Sequence, residues 1–261
     1  MTAAKQHLRS LAWRTVPSLI AERDRRHRQA VIERLGHDRS ASKWARENGA
    51  RVASGPFVGL EYPPELIPRV DAAVLKLQGT YEHQLHPAIA AALASLRASG
   101  ENVFVNVGCA DGYYAVGMAR ASRRSTCAFE AAPRARRETQ QLATLNHVDV
   151  EMHGCATERR LLRVAARAGA LLCDVDGAEL SLMTSRVAQA LSSAVVIVEL
   201  HGKRAILEVP RRFAASHAVE IIAGAPEHLR LTATPWLVAK PRDPYGRPVV
   251  GAGSHSMSSS A

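Results

Sequence analysis

A short apolar run that stops at glycine constrains this chain more than any other feature. Between Glu101 and Arg120 the sequence reads ENVFVNVGCADGYYAVGMAR. Val103, Phe104, Val105 and Val107 form a β-branched and aromatic run, suited to a strand buried on both faces. Gly108 and Gly112 then punctuate a turn, and Tyr113, Val116, Gly117 and Ala119 resume at helical spacing. A strand that turns tightly into a helix sets the helix N-terminus, with its unsatisfied N–H groups, at the strand's carboxyl end. A small ligand is expected there.

Strand and helix alternate from that point on. Apolar strands are expected over Thr126–Phe129, Val148–Met152, Ala170–Val175 and Ala194–Leu200, with helices over Ala135–Leu145, Glu158–Ala168, Leu180–Leu191 and Ala205–Ser216. Two more strands, Val219–Ile222 and Leu237–Ala239, the latter beginning as early as Leu231, would complete the sheet. Such alternation predicts a three-layer α/β sandwich, its mostly parallel sheet covered by helices on both faces. Ligands of these sheets bind at the carboxyl ends of the strands, near the topological switch point.

Upstream, Ser18–Leu35 reads as an amphipathic helix with Ile20, His27, Val31 and Leu35 on one stripe and Gly36 as its stop. Gly55–Pro68, GPFVGLEYPPELIP, is too rich in Gly and Pro to continue a helix and forms an irregular bridge. The stretch from Tyr81 reads as a helix that Pro87 kinks or restarts and Gly100 ends. The chain thus divides into a basic helical extension (1–54), a linker and helical leader (55–100), the sheet domain (101–241) and a tail (242–261) whose low apolar content predicts disorder.

A chain of 261 residues, 47% hydrophobic, can bury a large core. It contains no apolar run of membrane-spanning length and opens without the apolar stretch of a secretory signal, so a cytoplasmic protein is expected. Cys109, Cys127, Cys155 and Cys173 lie 18, 28 and 18 residues apart, with no Cys-x-x-Cys pair. They read as small packed residues rather than a disulfide frame. Of the net charge of +10, residues 1–51 carry +7, from 12 Lys+Arg against 5 Asp+Glu. Such an arm could attract nucleic acid, anionic lipid or an acidic substrate, or serve as a solvated helical face.

The expected strand ends deliver polar residues to one edge of the sheet. The first gives Asn106, Gly108, Cys109, Ala110, Asp111 and Gly112; the second gives Glu130, 22 residues after Gly108. That is the distance at which an acid accepts hydrogen bonds from a ribose diol. The third gives His153, Gly154 and Cys155, the fourth Asp174, Asp176 and Glu179, and the fifth Glu199 and His201. A glycine turn with an acid on the second strand suits both dinucleotides and S-adenosylmethionine (SAM). Here the third glycine of G-x-G-x-x-G is missing, which argues against NAD, and Asp111 stands where a pyrophosphate needs positive potential. A sulfonium with an ammonium fits that carboxylate better.

The succession VNVGCADGYYAVGMA, AFEAAP, LLCDVDGAELSLM and VIVELHG resembles the FkbM-type family of SAM-dependent methyltransferases over roughly Gly55 to Pro241. GPFVGLEYPP and LQGTYEHQLHPAI are similar to the leader of some members. The resemblance implies a class I, Rossmann-like, seven-stranded fold and O-methylation of a sugar, lipid or other hydroxyl-bearing metabolite. Where the family more often has Lys-Ile-Asp-Val-Glu-Gly, this chain has Leu172, Cys173, Asp174, Val175, Asp176 and Gly177.

On this reading Asn106, Gly108, Cys109, Ala110, Asp111, Gly112, Glu130, Cys155 and Asp174 surround SAM, with Asp111 capping the helix or meeting the methionine ammonium. His201 is the expected general base, and Asp174 and Asp176 serve beside it or orient it. Tyr81, Glu82, Glu179 and Glu199 are expected to line the acceptor site, and one of Tyr113 and Tyr114 to face the ligand. Asp174, Asp176, Glu199 and His201 could instead hold a divalent cation, but carboxylates also gather at metal-free SAM sites and a cation is not favoured. The N-terminal helices would act as lid, substrate wall or homodimer contact. Two other functions fit the same frame: a nucleic-acid methyltransferase using residues 1–51 as a clamp, and a non-catalytic SAM-fold protein that binds a partner through them.

Overall fold

The computed structural model describes residues 17–98, 100–224 and 234–243, together with Gly246 and Pro248. Five parallel strands form most of one seven-stranded sheet: β1 (Val103–Val107), β2 (Thr126–Phe129), β3 (Val150–His153), β4 (Ala168–Cys173) and β5 (Val195–Glu199). β6 (His217–Ile222) and β7 (Trp236–Pro241) pair antiparallel, and β7 also runs antiparallel to β5. The order is β3-β2-β1-β4-β5-β7-β6, so the chain reverses direction across the sheet between β1 and β4. This is the mostly parallel Rossmann-like sheet with helices on both faces that the alternating pattern and the resemblance imply.

Period-two alternation along each strand feeds two cores. Val103, Val105 and Val107 face one side with Cys127, Phe129, Leu171 and Val196, whereas Phe104 joins Ala128, Leu172 and Ile197 on the other. Every residue of β1, β4 and β5 is buried, the signature of a sheet covered on both faces. The helices α5 (Tyr113–Ser122) and α6 (Pro133–Leu145) cover the Phe104 side. On the other side lie α7 (Glu158–Ala165), α8 (Glu179–Leu182), α9 (Ser185–Ala190) and α10 (Lys203–Phe213).

The expected helix over Leu180–Leu191 is divided into α8 and α9. Thr184 breaks it: its backbone is extended (ψ 166°), its hydroxyl oxygen accepts from the Val187 N–H as an N-cap, and the same hydroxyl donates to Glu158 Oε1 at 2.8 Å. The fourth strand ends at Cys173, two residues earlier than expected, which leaves Asp174 and Val175 in the loop beyond it.

The leader joins the Phe104-side core. It contributes α3 (Ala73–Gln78) and α4 (His86–Arg97), with Pro87 starting α4 as expected of a helix-restarting proline; of the preceding extension, α2 (His37–Asn48) enters the same core through Ala41, and α1 (Pro17–Arg34) packs through Ala21 on Ala132 and Ala135. Phe57, in the irregular bridge, lies edge-on to Tyr113 and Tyr114, and Tyr81 lies edge-on to Tyr113. Tyr113 is thereby buried against the leader, and Tyr114 meets Glu82. α1 buries only part of the expected stripe. Ile20 is buried and Val31 half-buried, but Leu35 is 52% exposed and His27 is also exposed, while the buried Ala21 and Ile32, the half-buried Arg25 and the exposed Arg28 border the cleft along one helical face. The reading as a disordered tail, and an early start of the last strand near Leu231, lie outside the described residues except at 242, 243, 246 and 248.

Candidate active site

The carboxyl ends of β1, β2, β3 and β4 open into one cleft of about 1060 Å³, at the upper end of ligand-pocket sizes. Its floor is the loop after β1. Gly108 has φ 80°, and a Cβ there would collide with the Asp174 carbonyl, so the loops after β1 and β4 approach this closely only because residue 108 is glycine. Ala110 follows with φ 48°, a left-handed conformation uncommon for alanine. The turn turns the Ala110 N–H toward Glu130, whose Oε2 accepts it at 3.0 Å, while Glu130 Oε1 accepts from the Ala132 N–H at 2.7 Å. Burial raises the Glu130 pKa, against the two backbone donors and the charges of Arg28 and Arg25. The result is a fixed acceptor in the cleft wall, each oxygen retaining capacity for another donor.

Asp111 has a different task from the expected ones. α5 is capped by the backbone of Gly112, and no side chain caps it. The Asp111 carboxylate accepts from Lys76 Nζ at 2.7 Å and from the Tyr62 hydroxyl at 3.0 Å, all three groups buried. Lys76 also lies 4.9 Å from the Tyr81 ring centre and 5.6 Å from that of Tyr113. An ammonium from within the chain thus occupies the place beside Asp111 that the sequence suggested for the ligand's. Lys76 and Tyr81 both line the cleft.

Of the other residues expected around SAM, Gly108, Ala110, Glu130, Cys155 and Asp174 reach the cleft wall. Asn106, Cys109 and Gly112 do not. Asn106 lies on the opposite face of β1 from Val107 and donates to the Leu172 carbonyl at 3.3 Å. Cys109 is buried 3.5 Å from the Thr139 hydroxyl, and burial pushes its thiol well above the usual range. Burial likewise raises Cys155, with the Glu130 charge adding to it. Glu82 turns to the Tyr114 hydroxyl rather than to the cleft.

β4 and β5 deliver the acidic group. Asp174 and Asp176 line the cleft, and Asp176 adopts φ 51° ahead of Gly177, a left-handed turn that aspartate tolerates better than most residues. His201 stands beside them: its Nδ1 is 2.6 Å from Glu179 Oε1, and its Nε2 is 3.5 Å from Asp176 Oδ1 and 3.4 Å from Glu199 Oε2. Glu179 and Glu199 are buried behind the ring, in contact with it rather than with the cleft. Burial opposes charging of His201, but the hydrogen bond and charge of Glu179, with the charges of Asp174 and Asp176, outweigh it and raise the pKa. The ring therefore favours holding a proton over receiving one, which disfavours it as a resting general base.

α1 closes the cleft from above. Ala21 packs on Ala132 and Ala135, Arg25 pairs with Glu138, and Arg28 Nη1 lies 3.2 Å from Asp176 Oδ2. These arginines escaped an apolar-stripe reading. The 21-25-28-32 spacing is the signal that would have found them, because it places two cations on the inward face of a helix.

No family model matches the chain, and no curated protein matches it. Among solved structures it is similar to an rRNA methylase from Streptococcus thermophilus (TM-score 0.46, 16% identity, 60% of this chain and 96% of that one). It is also similar to magnesium protoporphyrin IX methyltransferase from Synechocystis PCC 6803 with bound SAH (TM-score 0.42, 14% identity, 61% and 83%). A third is precorrin-6y C5,15-methyltransferase from Geobacter metallireducens GS-15 (TM-score 0.43, 12% identity, 59% and 87%). No described helix is long and apolar enough to cross a membrane.

Proposed function

We propose that this chain is a SAM-dependent methyltransferase of the FkbM type that transfers a methyl group to a hydroxyl oxygen of a small, sugar or lipid-linked acceptor. The observation that carries the reading is the placement of Glu130. It is a part-buried carboxylate at the end of β2, held by two backbone donors within one cleft that also contains the Gly108 turn. A ribose diol donating to it would leave the methionine portion of SAM near Gly108 and Asp174, at the β1–β4 switch point.

In the transfer the methyl C–S bond breaks as a C–O bond forms to the acceptor, the sulfonium charge disappears, and the hydroxyl proton must leave. The products are S-adenosylhomocysteine, a methyl ether and a proton. Orientation supplies much of such a displacement. Asp174 and Asp176, the carboxylates of the His201 group that border the cleft, are suited to take the proton. Glu179 and Glu199 orient His201 rather than touch the acceptor. Arg25 and Arg28 are committed to Glu138 and Asp176, which favours α1 as a wall of the small-molecule cleft over a nucleic-acid clamp.

Calorimetric titration of the full chain with SAM and separately with NAD tests the reading. SAM binding that weakens at least about tenfold in Glu130→Ala is expected. Folded protein that binds NAD but not SAM, or neither, overturns it.

A further inference from the structure

We propose that Asp174, Asp176 and His201 hold a divalent metal ion of the manganese kind at the acceptor end of the cleft. The inference deepens the methyltransferase reading and rests on it for the ion's role, not for its binding. One carboxylate oxygen from each aspartate and one nitrogen of His201 lie within 4.8 Å of one another, close enough for a single ion to take all three.

The surroundings of the ring point the same way. His201 Nδ1 faces Glu179 Oε1 at 2.6 Å, and that oxygen also accepts from the Gly177 N–H at 3.0 Å, so Nδ1 is the donor to a fixed, fully buried carboxylate. Metal-ligating histidines characteristically donate their second ring nitrogen to such a carboxylate, which fixes the tautomer and strengthens the nitrogen that binds the ion. With Nδ1 committed to Glu179, Nε2 faces Asp176 Oδ1 and Glu199 Oε2, at 3.5 and 3.4 Å. The place between these atoms suits a positive charge, either the ring's own proton or an ion that displaces it.

Glu179 adds an independent demand for positive charge. Its side chain is only 1% exposed, and its Oε2 has no hydrogen-bond partner among the described residues. Burying a carboxylate so incompletely satisfied is costly unless charge arrives through the ring it touches. A protonated imidazole supplies that charge, and a metal-bound imidazole supplies it in the proton's place.

Two carboxylate oxygens with one imidazole nitrogen and no thiolate suit Mn2+ better than Ca2+, which prefers oxygen ligands alone. Arg28 does not block the site, because it approaches the other Asp176 oxygen, Oδ2. An ion here would bind the acceptor's hydroxyl oxygen and lower its pKa, so that the proton leaves to water in the cleft instead of to the two aspartates.

Chelator-stripped full-length protein titrated with Mn2+, followed by loss of the free-ion electron paramagnetic resonance signal and by calorimetry, decides the matter. One bound Mn2+ per chain is expected. Asp176→Asn and His201→Ala should weaken it more than about a hundredfold, and Glu179→Gln, which holds the ring and the Gly177 N–H but not the ion, about ten- to hundredfold. Glu151→Ala, in the other metal-capable group (Cys127, Glu151 and His153 at the β2–β3 edge), should leave it unchanged. Absence of Mn2+ binding by folded protein overturns the proposal, as does binding that survives Asp176→Asn and His201→Ala or is lost in Glu151→Ala. If His201→Ala does not fold, Asp176→Asn decides alone. SAM binding without Mn2+ binding overturns the ion only, whereas Mn2+ binding without SAM binding overturns the methyltransferase reading only.

Discussion

Lys76 Nζ lies 2.7 Å from Asp111 Oδ1, and both side chains are almost wholly buried, so one ion pair ties the leader to the loop that forms the floor of the cleft. Tyr62 completes the satisfaction of the carboxylate. Removing one partner of such a pair leaves a buried charge without compensation. Lys76→Met is expected to destabilise the fold by about 3–5 kcal/mol, whereas Lys76→Met with Asp111→Leu should recover much of the loss. Urea unfolding of the single and double variants checks this.

Gly117 packs its α5 backbone against the Phe57 ring. A Cβ there would fall 2.6–2.8 Å from three ring atoms. Gly117→Ala should therefore destabilise by roughly 1–3 kcal/mol despite the better helix propensity of alanine. Thermal unfolding of Gly117→Ala, with and without Phe57→Leu, measures it. The second change is expected to relieve part of the defect.

Arg25 and Arg28 hold α1 over the cleft. Their joint replacement by alanine should make α1 more sensitive to limited proteolysis and weaken SAM binding several-fold, while the sheet resists digestion. Bound SAM should protect α1 in the unaltered protein. Equal cleavage of both proteins, with and without SAM, would contradict this role for α1.

His217 sets a pH limit on stability. The ring is fully buried, its Nε2 donates to the carbonyls of Leu191 and Ala194 at 3.2 and 3.1 Å, and its Nδ1 accepts from the Ser216 hydroxyl at 2.8 Å. Burial lowers its pKa against these backbone contacts. In the window between the folded value and the unfolded value of about 6.5, the unfolded chain binds more protons. The neutral ring's contribution is therefore present above about pH 6.5 and is lost as pH falls toward the folded value. Melting temperatures from pH 8 to 5 should fall more steeply for the unaltered protein than for His217→Gln, which cannot titrate.

The sheet was readable because its signals are local. Val103–Val107 ends in Gly108, and Thr126–Phe129 ends in Glu130, so each segment carries both its own conformation and the polar residue at its carboxyl end. The position of Glu130 in the cleft follows from the parallel pairing of β1 with β2, which those segments already imply. The break at Thr184 was less accessible, since its hydroxyl chooses a cap and Glu158, 26 residues away, over the continuing helix.

The amino-acid sequence by itself determined the alternating strands and helices, the tight turn after β1 and the set of acids at the sheet's carboxyl edge, because backbone conformation and side-chain period act over a few residues. Tertiary structure alone decided which of those acids meet which cations. Asp111 is 35 residues from Lys76, Asp176 is 148 from Arg28, and Glu179 is 22 from His201. At such separations the pairing depends on where packing brings each element. A carboxylate that reads as a ligand in the sequence becomes a structural ion pair, a positioning group or part of an ion site according to the charge that burial places beside it.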